Sequence, residues 1–238
     1  MINDFIDYIY PRNIKCILCK NPISKNNSYS LCKDCFNKLN FINKGCLICG
    51  KPLTDFYKND ICLNCETNEY VFTKALSCVE YDDNIHKLIY SFKYGAKTYL
   101  SYNIAEIMND KLKYEGIDFD YIIPVPLHKK RLRKRGYNQS LLISKQLSKI
   151  NKKEVLNIVV RNENTEFLSK LSKKERIKKL ENVFTLDKNE NRIYKKDVLI
   201  VDDIFTTGTT VNEISKILLD SGVNKIYVIT FATGKNIY

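Results

Sequence analysis

Two adjacent carboxylates, Asp202 and Asp203, stand just ahead of Thr206-Thr207-Gly208-Thr209-Thr210. Paired acids can grip vicinal hydroxyls, as an acidic residue does with ribose in dinucleotide folds. Threonine hydroxyls and a glycine, which lets the backbone approach closely, suit a phosphate. A sugar phosphate would satisfy both halves at once. The flanks supply the positioning. Val198-Leu199-Ile200-Val201 is a short apolar run, rich in β-branched residues, that suits a buried parallel strand. After the loop, Val211, Ile214, Ile217 and Leu218 recur at helical spacing. Backbone N–H groups at a helix start, helped by the macrodipole, make a ready anion site. A threonine-capped turn with solvated acids would explain single pieces of this run, but not all thirteen positions in this order.

A second pattern points to metal. Cys16, Cys19, Cys32 and Cys35 form C-x2-C-x12-C-x2-C, and Cys46, Cys49, Cys62 and Cys65 repeat it thirty positions on. Two such knuckles can present four thiolates to a tetrahedral Zn²⁺, so the repeat predicts a double zinc ribbon with two structural ions. One metal per repeat follows from the period, with a crossed arrangement as the alternative. Eight cysteines could also make four disulfides, which would need an oxidising compartment. Gly50 follows one knuckle, where a tight turn would use it. Cys78 is left over and reads as an ordinary buried strand residue.

The chain has 238 residues, 44% of them hydrophobic, enough for one or two domains with a real core. Its first residues lack a basic leader and are interrupted by Pro11, so no export signal is expected. No apolar run approaches the ~18 residues of a membrane span. The expected location is cytoplasmic, without membrane insertion.

The formal charge is +12, which suggests polyanion partners. Lysine bias in the composition explains part of it, so the location of charge says more. Residues 121–150 hold eight Lys/Arg and no Asp/Glu, and three of the seven arginines, Arg131, Arg133 and Arg135, lie within five positions. Arginine presents a planar donor fork to phosphate that lysine cannot replace. Residues 1–70 carry nine Lys/Arg and seven Asp/Glu. Each four-thiolate zinc site adds −2, so the loaded ribbon would be near −2 while residues 71–238 keep +10. Polyanion binding by charge alone therefore points to the larger domain, and the ribbon reads as a folding staple. Lys15, Lys20, Lys33 and Lys51 beside the knuckles remain a possible nucleic-acid surface.

Beyond the ribbon, strands are expected at 75–81, 119–125, 155–160 and 225–231, and helices at 85–94, 99–114 and from about 141. The alternation predicts an α/β fold, whose ligands bind beyond the carboxyl ends of the strands. The stretch PVPLHKKRLRKRGYNQ is expected as a basic loop between strand and helix. It can be read as a solvated loop, a pyrophosphate site or a track for a nucleic-acid backbone. His128 could orient a phosphate or shuttle a proton.

At residues 198–210 the chain resembles the type I phosphoribosyltransferases, whose signature for 5-phosphoribosyl 1-pyrophosphate (PRPP) has this form. With the cysteine repeat, the basic loop, Phe92-Lys93-Tyr94-Gly95, Arg161 with Thr165, and Leu171-Ser172 with Glu175-Arg176, it is similar to the ComF family of competence proteins. That resemblance runs from about Cys16 to the end. It implies a zinc ribbon over residues 1–70 and a type I phosphoribosyltransferase-like domain with an open, mostly parallel sheet over 71–238. Asp202 and Asp203 would hold the ribose hydroxyls and stabilise an oxocarbenium-like sugar. Residues 206–210 would cradle the 5′-phosphate. Val125, Pro126, Leu127 and His128 would lie at pyrophosphate, and Mg²⁺ would bridge to it. Lys129, Lys130, Arg131, Arg133, Lys134 and Arg135 would meet pyrophosphate or nucleic acid. Residues 161–179 would close over the site. In that segment Leu168 and Lys179 replace residues usual in the family, and Ser172 with Glu175 is also a plain capping box.

Three functions follow. The resemblance implies a DNA-uptake protein of natural transformation that receives single-stranded DNA, with DNA-processing proteins as partners. Lys/Arg beside Tyr94, Tyr99, Tyr102 and Tyr137 offers charge with stacking faces, the combination single strands need. The alternatives are a phosphoribosyltransferase acting on an unidentified acceptor and a PRPP-responsive regulator.

Overall fold

A computed structural model of the chain describes residues 14–54, 59–163, 183–187 and 191–234. Its strands are β1 (Lys74–Glu80), β2 (Tyr121–Pro124), β3 (Glu154–Val155), β4 (Val159–Arg161), β5 (Phe184–Leu186), β6 (Asp197–Phe205) and β7 (Lys225–Thr233). Five of them build one sheet in the order β1-β7-β6-β2-β3, and every pairing in it is parallel. β4 and β5 form a separate antiparallel pair. The expected strand at 155–160 is thus two pieces, because only Glu154 and Val155 pair with β2 before the chain turns toward β5.

The helices are α1 (Lys33–Asn37), α2 (Leu63–Glu66), α3 (Asp83–Tyr94), α4 (Leu100–Tyr114), α5 (Lys129–Arg135), α6 (Gln139–Asn151) and α7 (Thr209–Asp220). Side-chain caps start several of them. Asp82 accepts from Ile85 N–H at 2.8 Å and Asn138 from Ser140 N–H at 3.0 Å, each satisfying an otherwise orphan donor. The basic stretch expected as a loop is the helix α5. With Leu132 as its one apolar residue, it carries no stripe from which a helix could be read.

Strand periodicity divides the interior into two cores. Leu76 and Cys78 of β1, Leu199 and Val201 of β6, and Ile229 and Phe231 of β7 join α3, α4 and α6 on one face. Ala75, Val198, Ile200, Ile226 and Val228 face the opposite way, toward α7 and the β4–β5 pair. The central strands are buried on both faces, which is why they read as unbroken apolar runs.

The ribbon is built into both cores. Cys16, Ile17, Leu31 and Leu39 belong to the α3/α4 side, whereas Cys46, Cys49, Cys62 and Cys65 belong to the α7 side. The two repeats therefore straddle β1, an edge strand. Backbone bonds seal that edge: Ala75 N–H donates to Ile48 O (2.7 Å), Glu80 N–H to Asn40 O (2.9 Å) and Ile42 N–H to Cys78 O (3.0 Å). An open strand edge invites unwanted pairing, and here the ribbon covers it.

Candidate functional site

β2 runs beside β6 as far as the Pro124–Val201 pair, and β6 continues through Asp202 to Phe205 with β7 alone. The crossover from β2 leads out to β3 and that from β6 leads back to β7, so their carboxyl ends part. This divergence is the place where α/β sheets open a ligand crevice. A cleft of about 1150 Å³ lies there, above the usual range for one small ligand.

Asp202 and Asp203 both line it. They lie within β6 rather than at its end. Ser140 Oγ donates to Asp202 Oδ1 at 2.9 Å, as does the Asp203 N–H. Lys93 forms an ion pair with Asp203, whose side chain is only 5% exposed, and Gln139 Nε2 stands 3.5 Å from it. Burial, together with the neighbouring Asp203 charge, pushes the Asp202 carboxyl up to about 7. Near neutral pH, Asp202 is thus poised between a neutral and a charged form.

The threonine loop continues from β6. Thr207 and Thr209 hydroxyls meet at 2.8 Å, and α7 begins at Thr209 behind Gly208, which has φ 73°. A Cβ on Gly208 would stand 2.6 Å from the Phe205 ring and 2.8 Å from that of Tyr70, so glycine is required by both conformation and space. Thr206, Thr207, Thr209 and Thr210 line the cleft.

The opposite wall is cationic. Val125, Pro126 and Leu127 lead from β2 into α5, and Asn138 ties them down by donating to Val125 O at 3.0 Å. Helical spacing divides the charges of α5. Lys130, Arg131, Lys134 and Arg135 line the cleft, whereas Lys129 and Arg133 do not. His128 is also outside the lining and caps α5, accepting from Lys130 N–H at 3.2 Å. Arg161, nearly buried at 7% exposure, completes the wall. Burial and the Arg131 charge lower it to about 10, against the pull of Asp202, which still leaves it charged at neutral pH. Six cations, those four with Lys93 and Arg161, thus face two carboxylates, an arrangement suited to a polyanion that also carries hydroxyls.

Lys93 and Ser140 were not assigned roles from sequence. They come from α3 and the start of α6, far along the chain from the acids they contact; Lys93 stood only within the Phe92-Lys93-Tyr94-Gly95 resemblance, without a role, and no local pattern marks Ser140. Thr165, Leu168, Leu171, Ser172, Glu175, Arg176 and Lys179 lie outside the described residues. Of the tyrosines expected as stacking faces, Tyr94 and Tyr99 are exposed and Tyr102 is half-buried. Tyr137 instead leans on Phe92 and donates to its carbonyl, so it serves packing.

The sulfur atoms of each cysteine tetrad lie within 4.8 Å of one another, grouped consecutively rather than crossed. All nine cysteines are free thiols. Cys19 and Cys32 sulfurs are 3.7 Å apart, as are those of Cys49 and Cys62. Zn–S bonds of ~2.3 Å give a tetrahedral edge of about 3.8 Å, so the tetrads fit zinc. The repeat holds at backbone level too, since the Lys15–Pro22 bridge recurs as Gly45–Pro52. Among the described residues no helix is long and apolar enough to cross a membrane.

Comparisons with known proteins agree with this architecture. The family model described as a double zinc ribbon domain matches residues 5–66, and that of the phosphoribosyl transferase domain matches residues 132–236. Competence protein F of Haemophilus influenzae is 34% identical, covering 91% of this chain and 95% of that protein. DNA utilization protein YhgH of Escherichia coli is 26% identical over 90% of this chain and 94% of its own length. Competence protein ComFC of Bacillus subtilis is 23% identical over 87% and 89%. With a zinc ribbon sealed onto a type I phosphoribosyltransferase-like sheet, the chain belongs to the competence protein F family of competence and DNA-utilization proteins.

Proposed function

We propose that the cleft binds PRPP as its magnesium complex, and that the protein handles single-stranded DNA in the cytoplasm during natural transformation. The observation that carries the first half is the shared cleft: an acidic pair, a threonine loop at a helix start and a six-cation wall around one space. Asp202 and Asp203 accept from the ribose 2′- and 3′-hydroxyls. Thr206, Thr207, Thr209 and Thr210, with the N–H groups at the start of α7, hold the 5′-phosphate. Lys130, Arg131 and Arg161 take the pyrophosphate. Magnesium, when bound, draws charge from the leaving group, and Asp202 and Asp203 are the hard oxygen donors for it. Lys93 holds Asp203 in place through their ion pair.

The DNA half is supported by the rim of the same wall. Lys129 and Arg133 are outside the cleft lining, and Arg135, at its edge, lies 4.9 Å over the Tyr94 ring. From there an exposed aromatic run continues along α3, with Tyr94–Tyr90 at 5.0 Å, Tyr90–His86 at 6.3 Å and His86–Tyr81 at 5.9 Å. Phosphate-binding charge beside π-faces is what single strands use. The size of the cleft favours a second reading, phosphoribosyl transfer to an acceptor beside PRPP, with a PRPP-responsive regulator as the version without turnover.

Calorimetric titration of PRPP with Mg²⁺ tests the site. Changing Asp202 and Asp203 together to Asn should lower affinity at least tenfold, since charged hydrogen bonds contribute about 1.5–3 kcal/mol each; an unchanged isotherm would refute it. For DNA, Lys129 and Arg133 changed to Ala should flatten the salt slope of binding by about 1.4, at ~0.7 per phosphate, and leave PRPP affinity unaltered. An unchanged slope moves DNA elsewhere, to the ribbon lysines first. Pyrophosphate release with candidate acceptors, with and without single-stranded DNA, separates enzyme from regulator.

A further inference from the structure

We infer that the second zinc repeat sets the position of the phosphate loop, through Asn64 and Tyr70. This deepens the PRPP reading and rests on it for its ligand. Asn64 lies in α2 between the ligands Cys62 and Cys65. Its amide Nδ2 donates to the Tyr70 hydroxyl at 3.0 Å, and that hydroxyl donates to Thr207 O at 2.9 Å. A metal-anchored turn is thereby joined to the loop by two hydrogen bonds in series, each polarising the next. The Tyr70 ring is held on its own account. It stacks on Phe72 at 4.9 Å, Phe72 meets Phe205 edge-on at 6.4 Å, and the same Tyr70 ring closes over Gly208. The next residue extends the clamp, with Val71 N–H donating to Asn212 Oδ1 on α7 at 2.8 Å. Carbonyl 207, the glycine that starts α7 and the first turn of α7 are thus all gripped from residues 70 and 71. A phosphate cradle works by holding its N–H groups aimed before the ligand arrives, and Tyr70 is a positioning residue for that aim. The first repeat packs on the opposite core.

Tyr70→Phe keeps the ring and removes only the hydroxyl. Amide exchange at residues 206–210, followed by mass spectrometry on the zinc-loaded chain without ligand, should quicken about three- to tenfold, the size of one lost hydrogen bond. Zinc should stay at two equivalents and exchange within β6 and β7 should not change. Affinity for PRPP with Mg²⁺ should fall by a similar factor. Asn64→Ala, which leaves Tyr70 intact, should move the same readouts in the same direction by less, and it replaces Tyr70→Phe should that chain not fold. Unchanged loop exchange in both variants overturns the inference. A wild-type chain that ignores PRPP, while its loop still quickens in Tyr70→Phe, overturns the ligand reading and leaves the coupling standing.

Discussion

The two zinc repeats share cysteine spacing and a backbone bridge, yet the protein uses them differently. All four ligands of the second are buried, whereas in the first Cys16 is buried, Cys32 and Cys35 are half-buried and Cys19 is exposed. The turn after each first knuckle shows the same divergence. Lys20 and Gly50 are equivalent and hold nearly the same left-handed backbone, φ 68° and 67°. Lysine is accommodated in one, where the residue is exposed. Glycine is needed in the other because a Cβ there would stand 2.5 Å from Ala75 O on β1. Duplicated sequence thus supplied two metal turns, and contact with the sheet made one of them part of the core.

The sharpest way to break this comparison is to remove one thiolate from each repeat. Cys49→Ser should abolish cooperative melting or lower Tm by more than about 10 °C, because a structural zinc contributes on the order of 10 kcal/mol and this one lies inside a core. Cys19→Ser should keep Tm within about 5 °C and retain PRPP binding. Equal losses would erase the distinction. Next in size, Gly50→Ala should cost about 2–4 kcal/mol in denaturant melts, combining a left-handed alanine with overpacking against backbone. A loss below 1 kcal/mol would mean that the turn can move off β1.

A cleft variant that leaves both repeats alone calibrates these losses. Asp202 titrates at about 7 in the folded chain against ~3.9 unfolded. Its raised value means that ionising it costs stability as pH climbs from about 4 to 7, and the cost persists above that. Asp202→Asn should therefore stabilise the ligand-free chain at pH 8 by about 1–2 kcal/mol, a rise in Tm of about 2–8 °C, and change little at about pH 4. A gain equal at both values would deny the shifted carboxyl. The smallest effect belongs to Lys20→Gly. Relief of the left-handed lysine is offset by a more flexible unfolded chain, so stability should stay within about 0.5 kcal/mol.

These differences mark how far the sequence could be read. Both tetrads were legible because their spacing repeats without error, and the acidic pair with the threonine loop was legible as one strand–loop–helix run. Central strands were legible because burial on both faces leaves a continuous apolar signature. α5 was hidden by its polarity, and the contacts of Lys93 and Ser140 with the acids by distance along the chain. The unequal fates of the repeats left no trace at the cysteines themselves. Gly50 against Lys20 was the single cue, and its meaning depended on knowing that β1 passes beneath it.

The sealed edge of β1 also bears on the order in which the molecule can be made. Lys74 pairs with Tyr227, so the inner side of β1 has no partner until nearly all the described chain has been synthesised. Its outer side needs only residues 40–48, which leave the ribosome before it. Once the thiols capture their ions, the nascent strand already has one flank hydrogen-bonded and both faces shielded by metal turns. The ribbon then acts as a scaffold during synthesis, holding the first strand in place until the seventh arrives.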